Sequence, residues 1–110
     1  MKARLHAVAL VELRAARGHE RAIYLDAIKS LEADEALRTD PKYQLEPPLD
    51  RMRKLPRGEL RIVYALVDGE LWVLFVGWRE AGQERTLYKR VEEHLAGGDY
   101  ADALPAATTG

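Results

Sequence analysis

Two arginines, Arg61 and Arg79, are the residues whose positions in the sequence most directly indicate chemistry. Arg61 lies inside the apolar segment LRIVYALV, and Arg79 directly follows the apolar segment LWVLFVGW. A guanidinium presents a planar fork of N–H donors that matches the oxygens of a phosphate. Two guanidiniums held on neighbouring strands therefore predict a phosphate-binding site. The alternative is structural, with Arg61 paired to Glu59, Glu80 or a helix carboxylate.

Tyr88 and Lys54 are further polar residues near this region, and each also has an ordinary structural interpretation. Tyr88 stands beside Leu87 in a predicted helix, where an aromatic residue more often packs than reacts. Lys54 closes a basic segment and is equally consistent with a surface lysine. The scattered histidines predict neither a two-histidine nuclease nor a metal site; they are His6, His19 and His94.

Basic charge is concentrated in the middle of the chain, although the whole protein has a net charge of −1. Residues 51–91 contain nine Lys and Arg against five Asp and Glu, a net charge of +4. Such a local basic surface suits phosphates, and an uneven but merely solvated surface is the alternative. Further candidates for nucleic-acid contacts are Arg51, Arg53, Arg57, Arg85 and Lys89.

Length and composition indicate one globular domain. The chain has 110 residues, of which 47% are apolar and 32% charged, as in ordinary folded domains. The absence of cysteine excludes disulfides and thiolate zinc sites. No apolar run is long enough to span a bilayer. We therefore expect a cytoplasmic protein with no membrane partner and no metal or other cofactor.

The N-terminal third is predicted to be rich in helix. Apolar periodicity fits a helix near the start, although RLHAVALVEL is also consistent with a short first strand. A helix is predicted from His19 to about Arg38, ending before Thr39-Asp40-Pro41. The segment from Lys42 to Leu49 is predicted as an extended connector because of Pro47-Pro48.

The second half predicts a meander of strands and a closing helix. A short basic strand (51–55) leads through a turn at residues 56–58 into a strand (59–67). The Asp68-Gly69 turn then connects to an apolar return strand (71–78) that is predicted to be central. Simple pairing places Arg61 opposite Val76, and leaves open whether the two arginines share a face. A loop at residues 81–83 and a helix from 84 to 95 follow.

These elements predict an α+β fold, with a small antiparallel sheet, N-terminal helices on one face and a C-terminal helix. The other face, or the groove between the sheet and the last helix, is left for a functional site. Residues 1–96 are predicted to form a single domain. Residues 97–110 are predicted to be a short flexible tail, because they are small and polar and follow Gly97-Gly98.

The hairpin and last helix, GELRIVYALVDGELWVLFVGWRE and ERTLYKRVEEHL, resemble the RelE/ParE toxin superfamily of bacterial toxin–antitoxin systems. The matching elements are a strand with Arg61 before Val63-Tyr64, a return strand that ends in VGWR, and a helix with a tyrosine near its start. The resemblance implies that Arg61 and Arg79 stabilise a phosphate. It also implies that Tyr88 and Lys54 are catalytic.

The resemblance implies two possible activities and a partner. RelE-like toxins are endoribonucleases that cleave mRNA on the ribosome without a metal, whereas ParE-like toxins inhibit DNA gyrase. A third possibility is a non-toxic partner-binding protein on the same fold. In the toxin interpretations the partner is a cognate antitoxin. In this chain Met52 stands where RelE-like sequences can have a second lysine.

Metal-independent RNA cleavage uses the adjacent 2′-hydroxyl as the nucleophile and leaves a 2′,3′-cyclic phosphate. A base takes the hydroxyl proton, cations stabilise the phosphorane-like transition state, and an acid protonates the departing 5′-oxygen. Arg61 and Arg79 suit the stabilising role. Tyr88 and Lys54 are the candidates for base and acid, and their ordinary pKa values of about 10 and about 10.4 leave the assignment open.

Overall fold

The sheet and its helices are defined in a computed structural model that describes residues 1–79 and 84–105. In chain order the elements are β1 (Ala3–Leu5), α1 (Ala7–Ala15), α2 (Gly18–Ala33), α3 (Glu35–Arg38), a 3-10 helix (Pro41–Tyr43), β2 (Arg53–Arg57), β3 (Leu60–Val67), β4 (Glu70–Trp78) and α4 (Glu84–Ala96). The predicted α+β class is confirmed.

The sheet has the strand order β1-β4-β3-β2, so the predicted return strand β4 is central. The antiparallel meander of β2, β3 and β4 is confirmed. The sheet is not purely antiparallel, because β1 pairs with β4 in parallel, with Leu5 opposite Val73. Both alternatives for the N-terminus are therefore realised in succession, a strand and then a helix. His6 separates them, and its ring accepts a hydrogen bond from the Val8 N–H (3.1 Å), which caps α1.

The single helix predicted from His19 to Arg38 is interrupted at Asp34, and that prediction is wrong. Asp34 has an extended backbone and accepts a hydrogen bond from the Leu37 N–H (3.1 Å), so it is the N-cap of α3. Arg38 folds back and donates to the carbonyls of Leu31 (2.8 Å) and Glu32 (2.9 Å) at the end of α2. These contacts satisfy the carbonyls that a helix end leaves without partners.

The connector before the meander also differs from the prediction. It begins with the 3-10 helix and turns at Pro47-Pro48, which are joined by a cis peptide bond, instead of following an extended path. β2 begins at Arg53 and continues through Arg57, two residues later than predicted at both ends. Only Gly58 of the predicted turn at residues 56–58 lies in the turn, where its φ is +57°.

The hairpin between β3 and β4 turns at Asp68 and Gly69, as predicted. Both residues have positive φ angles, 50° and 78°, which is the geometry of a two-residue turn that matches the twist of the strands. Val67 pairs with Glu70 directly beside the turn.

A β-bulge lies further along this hairpin, where the prediction assumed continuous alternation. Tyr64 pairs with Val73, but its neighbour Val63 pairs with Phe75, so Leu74 is an extra residue in β4. Leu74 and Phe75 consequently face the same side of the sheet. A bulge of this kind reverses the side-chain alternation of the residues beyond it.

The bulge changes what lies opposite Arg61. Its partner is Gly77 instead of the predicted Val76. Beyond the bulge Gly77 is directed towards α4, since a Cβ built there would lie 3.1 Å from Leu87 Cδ1. Side chains alternate along the chain, so Arg79, two residues after Gly77, lies on the same face as Arg61. The question that the sequence left open is thus decided by one extra residue.

Helices cover both faces of the sheet. On one face α1 and α2 pack over a cluster that includes Leu13, Ile28, Leu31, Leu55, Ile62, Tyr64 and Val73. On the other face α4 packs over a cluster that includes Met52, Val63, Ala65, Leu74, Phe75, Leu87 and Val91. The expectation of an open second face is therefore wrong, and the groove between the sheet and α4 remains as the place for a site.

The segment from Gly97 to Pro105 folds against the sheet, which corrects the prediction of a flexible tail for this part. Tyr100, Ala103 and Leu104 are buried beside α4. The Tyr100 hydroxyl donates to the carbonyl of Leu74, the extra residue of the bulge (2.9 Å). The rest of the predicted tail, residues 106–110, lies outside the described residues.

Gly77 is a test of how tightly α4 is packed on the sheet. A Cβ added at this position would lie 2.9 Å from Phe75 Cε2 and 3.1 Å from Leu87 Cδ1. We expect Gly77→Ala to lower the free energy of unfolding by about 1–3 kcal/mol, measured by urea denaturation. The control is Gly18→Ala, because a Cβ there meets nothing within 4 Å. An equal effect of the two substitutions would contradict the packing.

Candidate functional site

Glu84 is the centre of a cluster that contains three of the four predicted catalytic residues. Its Oε1 accepts from Arg61 Nε (2.8 Å). Its Oε2 accepts from Lys54 Nζ (2.6 Å) and from the Tyr88 hydroxyl (2.8 Å). One carboxylate thus gathers an ammonium, a guanidinium and a phenol.

Regular geometry of the strands and of α4 explains this convergence. Lys54 on β2 and Arg61 on β3 both face α4, because their neighbours Leu55 and Ile62 point into the opposite core. Glu84 and Tyr88 are four positions apart on α4, which puts them on the same side of the helix one turn apart. The site is therefore built from two strands and one helix.

Arg61 is a buried cation whose donors are satisfied by the protein. It is 6% exposed, and its Nη1 donates to the carbonyls of Gly58 (2.7 Å) and Leu60 (2.9 Å). Its Nη2 lies 2.8 Å from Glu84 Oε1. The structural alternative, a pair with a helix carboxylate, is thus present in the structure. It also fixes the direction in which the guanidinium points.

Arg79, the other predicted phosphate ligand, forms an ion pair at the surface. Its Nε lies 3.1 Å from Glu59 Oε2, and its backbone N–H donates to the Glu59 carbonyl (2.7 Å). The pKa of Arg79 is raised by the hydrogen bond to Glu59 and by the charge of Glu59, with a smaller contribution from Glu84. Arg79 therefore lies within the electrostatic influence of the Glu84 cluster without bonding to it.

The protonation states of the cluster follow from its hydrogen bonds. Burial alone would raise the pKa of Glu84, but the bonds from Lys54, Tyr88 and Arg61 outweigh this effect and lower the pKa to about 2. Burial raises the pKa of Tyr88, and the Glu84 carboxylate raises it further. At neutral pH the cluster consequently holds an ionised carboxylate and a protonated phenol. In this state Tyr88 keeps its proton and is not activated as a base.

A cavity of about 540 Å³ adjoins the cluster. It lies between α4 and the connector that precedes β2, and Lys54, Glu84 and Tyr88 form part of its wall. Arg85, one of the predicted RNA contacts, is also part of this wall. A cavity beside converging polar groups is the usual form of a ligand site.

The other predicted RNA contacts are spread over different surfaces. Arg53 and Arg57 alternate with Lys54 along β2, so they are directed to the face of α1 and α2; Arg53 donates to the Asp40 carbonyl (3.0 Å). Arg51 donates to the Pro105 carbonyl (2.7 Å), and Lys89 is exposed on α4. The structure therefore places only Arg85 of these five beside the cluster.

Glu84 is the residue that the sequence interpretation missed. Two signals were available: its spacing of four residues before Tyr88, and the need of a buried arginine for a carboxylate partner. Met52, which replaces a possible second lysine, is fully buried. The predicted loop at residues 81–83, which connects Arg79 to α4, lies outside the described residues.

Within residues 1–79 and 84–105, no group of three or more His, Cys, Asp and Glu side chains is arranged to hold a metal ion. No helix in the same ranges is long and apolar enough to cross a membrane.

Solved structures resemble the fold of this chain. The isolated Escherichia coli RelE toxin matches with a TM-score of 0.56 and 18% identity, over 86% of this chain and 97% of that chain. The fold is that of the RelE toxins. A chain of the toxin–antitoxin complex RelBE2 from Mycobacterium tuberculosis also matches, with a TM-score of 0.54 and 20% identity, over 71% of this chain and 96% of that chain. No protein-family model and no curated protein matches the chain.

The RelE-like fold confirms the resemblance that the hairpin and last helix indicated. At identities of 18% and 20% the likeness establishes the fold, and the roles of the individual side chains remain predictions.

The lowered pKa of Glu84 makes a prediction about acid stability. A carboxylate whose pKa is lower in the folded state contributes stability above its unfolded pKa, about 4.3, and loses that contribution as the pH falls towards its folded pKa. We expect Glu84→Gln to be less stable than the wild type at pH 6. The difference should shrink as the pH falls from about 4.3 to about 2.

Urea denaturation at a series of pH values measures this difference. The control is Glu93→Gln, which removes the charge of an exposed residue on the same helix and should change stability little at any pH. A difference between wild type and Glu84→Gln that stays constant down to pH 2 would contradict the account of the cluster.

Proposed function

We propose that the protein is a RelE-like toxin, an endoribonuclease that cleaves mRNA on the ribosome without a metal. The observation that supports this most is the convergence of Lys54, Arg61 and Tyr88 on one anionic group, Glu84. A phosphodiester, like a carboxylate, presents two oxygens that share a negative charge. Side chains that hold the one are suited to hold the other.

In this proposal the cations bind the scissile phosphate. Arg61 is fixed by the Gly58 and Leu60 carbonyls and stabilises charge on the non-bridging oxygens as it builds up. Arg79, on the same face, approaches from the surface. Arg61, held in this way, needs no rearrangement of its own during the reaction.

The proton transfers are assigned to Tyr88 and Lys54. Tyr88 retains its proton because its pKa is raised, so we assign it to protonate the departing 5′-oxygen. Lys54, whose Nζ lies 5.6 Å from the centroid of the Tyr88 ring, is then the base for the 2′-hydroxyl, and must first release its own proton. The base, the acid and the two arginines together account for each step of a 2′-hydroxyl attack.

The cavity beside the cluster accommodates part of the substrate in this proposal. Its volume of about 540 Å³ is in the range of ordinary ligand sites, and its position beside Tyr88 allows a base to stack on the ring. We also propose a cognate antitoxin as partner, because one of the matched structures is a toxin–antitoxin complex. The apolar residues Leu87 and Val91 of α4 are not available to this partner, since they are buried against the sheet.

Arg79→Ala is the sharpest test of the nuclease, because Arg79 is partly exposed whereas Arg61 also holds two backbone carbonyls. We expect the variant to lose growth inhibition and to cleave mRNA on translating ribosomes about 100- to 1000-fold more slowly, with an unchanged circular dichroism spectrum. The control is Arg4→Ala, which removes an arginine paired with Glu70 at the other end of β4. Wild-type protein that leaves the mRNA intact would contradict the proposal.

A second candidate function is a non-nuclease binding module, either a gyrase inhibitor or a non-toxic partner-binding protein. The observation in its favour is that Arg61 and Arg79 both already have carboxylate partners, as structural arginines do. A DNA supercoiling assay separates the gyrase inhibitor from the nuclease. Inhibition of gyrase by both wild type and Arg79→Ala would support the binding module.

A further inference from the structure

The proposed ribonuclease reaction gives Glu84 no role. Its carboxylate lies where the proposed ligands of the phosphate converge. We propose that Glu84 is an internal ligand of the phosphate site. Its carboxylate occupies the position of the substrate phosphate and must be displaced by that phosphate. This inference rests on the proposed function only in taking Lys54, Arg61 and Tyr88 as a phosphate site.

The geometry of the bonds supports this assignment. Arg61 reaches Oε1 through both Nε and Nη2, each at 2.8 Å. Lys54 Nζ (2.6 Å) and the Tyr88 hydroxyl (2.8 Å) reach Oε2. Four donor atoms thus divide evenly between two anionic oxygens, as they can between the oxygens of a bound phosphate. A phosphate cannot receive the same bonds until Glu84 gives them up.

The charge balance also supports a phosphate that replaces the Glu84 carboxylate over one that binds beside it. The cations Lys54, Arg61 and Arg79 are offset by two paired carboxylates, Glu59 and Glu84. The five side chains therefore carry a net charge of +1 with Glu84 in place and +2 without it. A phosphate that displaces Glu84 meets a more positive site than one that binds beside it.

The position of Glu84 in the fold allows the exchange without unfolding of α4. Glu84 is the first residue of α4, whereas the buried contacts of the helix are made by Leu87 and Val91. The side chain is 22% exposed and borders the cavity. Rotation of this one side chain opens the phosphate site and leaves the helix and Tyr88 where they are.

Binding of inorganic phosphate to the full chain tests the inference independently of RNA cleavage. The probe is the Arg61 Nε–H resonance in ¹H–¹⁵N spectra during a phosphate titration. We expect Glu84→Gln, which keeps the shape of the side chain and removes its charge, to bind phosphate about 10- to 100-fold more tightly than the wild type. The factor reflects the charge-assisted hydrogen bonds to Glu84, which the wild type must break before phosphate binds and the variant lacks.

Glu12→Gln is the matched control. Glu12 also pairs with an arginine, Arg90 of α4 (2.6 Å), and its side chain is 25% exposed against 22% for Glu84. The substitution therefore removes the same charge and a similar contact to α4 away from the cluster. We expect its affinity for phosphate to change less than about twofold, since distant charges are screened by salt.

Phosphate affinity that is equal in wild type and Glu84→Gln would overturn the inference, as would an equal gain in Glu12→Gln. Loss of RNA cleavage in Glu84→Gln without tighter phosphate binding would also overturn it and would make Glu84 part of the catalytic set. Tighter phosphate binding in Glu84→Gln, with no RNA cleavage by the wild type, would support the internal ligand. It would refute the ribonuclease.

Discussion

The arrangement of the proposed site depends on the extra residue in β4. Without the bulge at Leu74, simple alternation would put Arg61 and Arg79 on opposite faces of the sheet, and no joint phosphate site would form. The bulge is stabilised from outside the meander, because the Leu74 carbonyl accepts a hydrogen bond from the Tyr100 hydroxyl. The segment that follows α4 is in this way part of the structure that orients the two arginines.

Glu84 is the second determinant, and it has two opposing effects. It stabilises the free protein, because it compensates a lysine and a nearly buried arginine that would otherwise be costly to leave unpaired. It also neutralises part of the positive charge that a phosphate would need. In the proposed site, the contacts to Glu84 that hold Lys54, Arg61 and Tyr88 in place also keep them from a substrate phosphate, and a movement of Glu84 would release all three.

The sequence was informative where local rules decide the structure. The Asp68-Gly69 turn, the central position of β4 and the helix that carries Tyr88 follow from turn geometry and periodicity. The break at Asp34 and the burial of Tyr100 depend on tertiary contacts, which periodicity does not contain. The bulge is of the same kind, because it inserts one residue into an apolar strand without any glycine or proline to mark it. The role of Glu84 does not follow from the sequence, because it depends on partners that only the fold brings together.

The chemical nature of the RNA ends is the sharpest test of the proposed cleavage reaction. We expect mRNA cut by the purified protein on translating ribosomes to carry a 2′,3′-cyclic phosphate on the upstream fragment and a free 5′-hydroxyl on the downstream fragment. These ends result when the 2′-hydroxyl attacks a phosphate held by Arg61 and Arg79 and Tyr88 protonates the departing oxygen. Intact mRNA, or fragments with a 3′-hydroxyl and a 5′-phosphate, would contradict it.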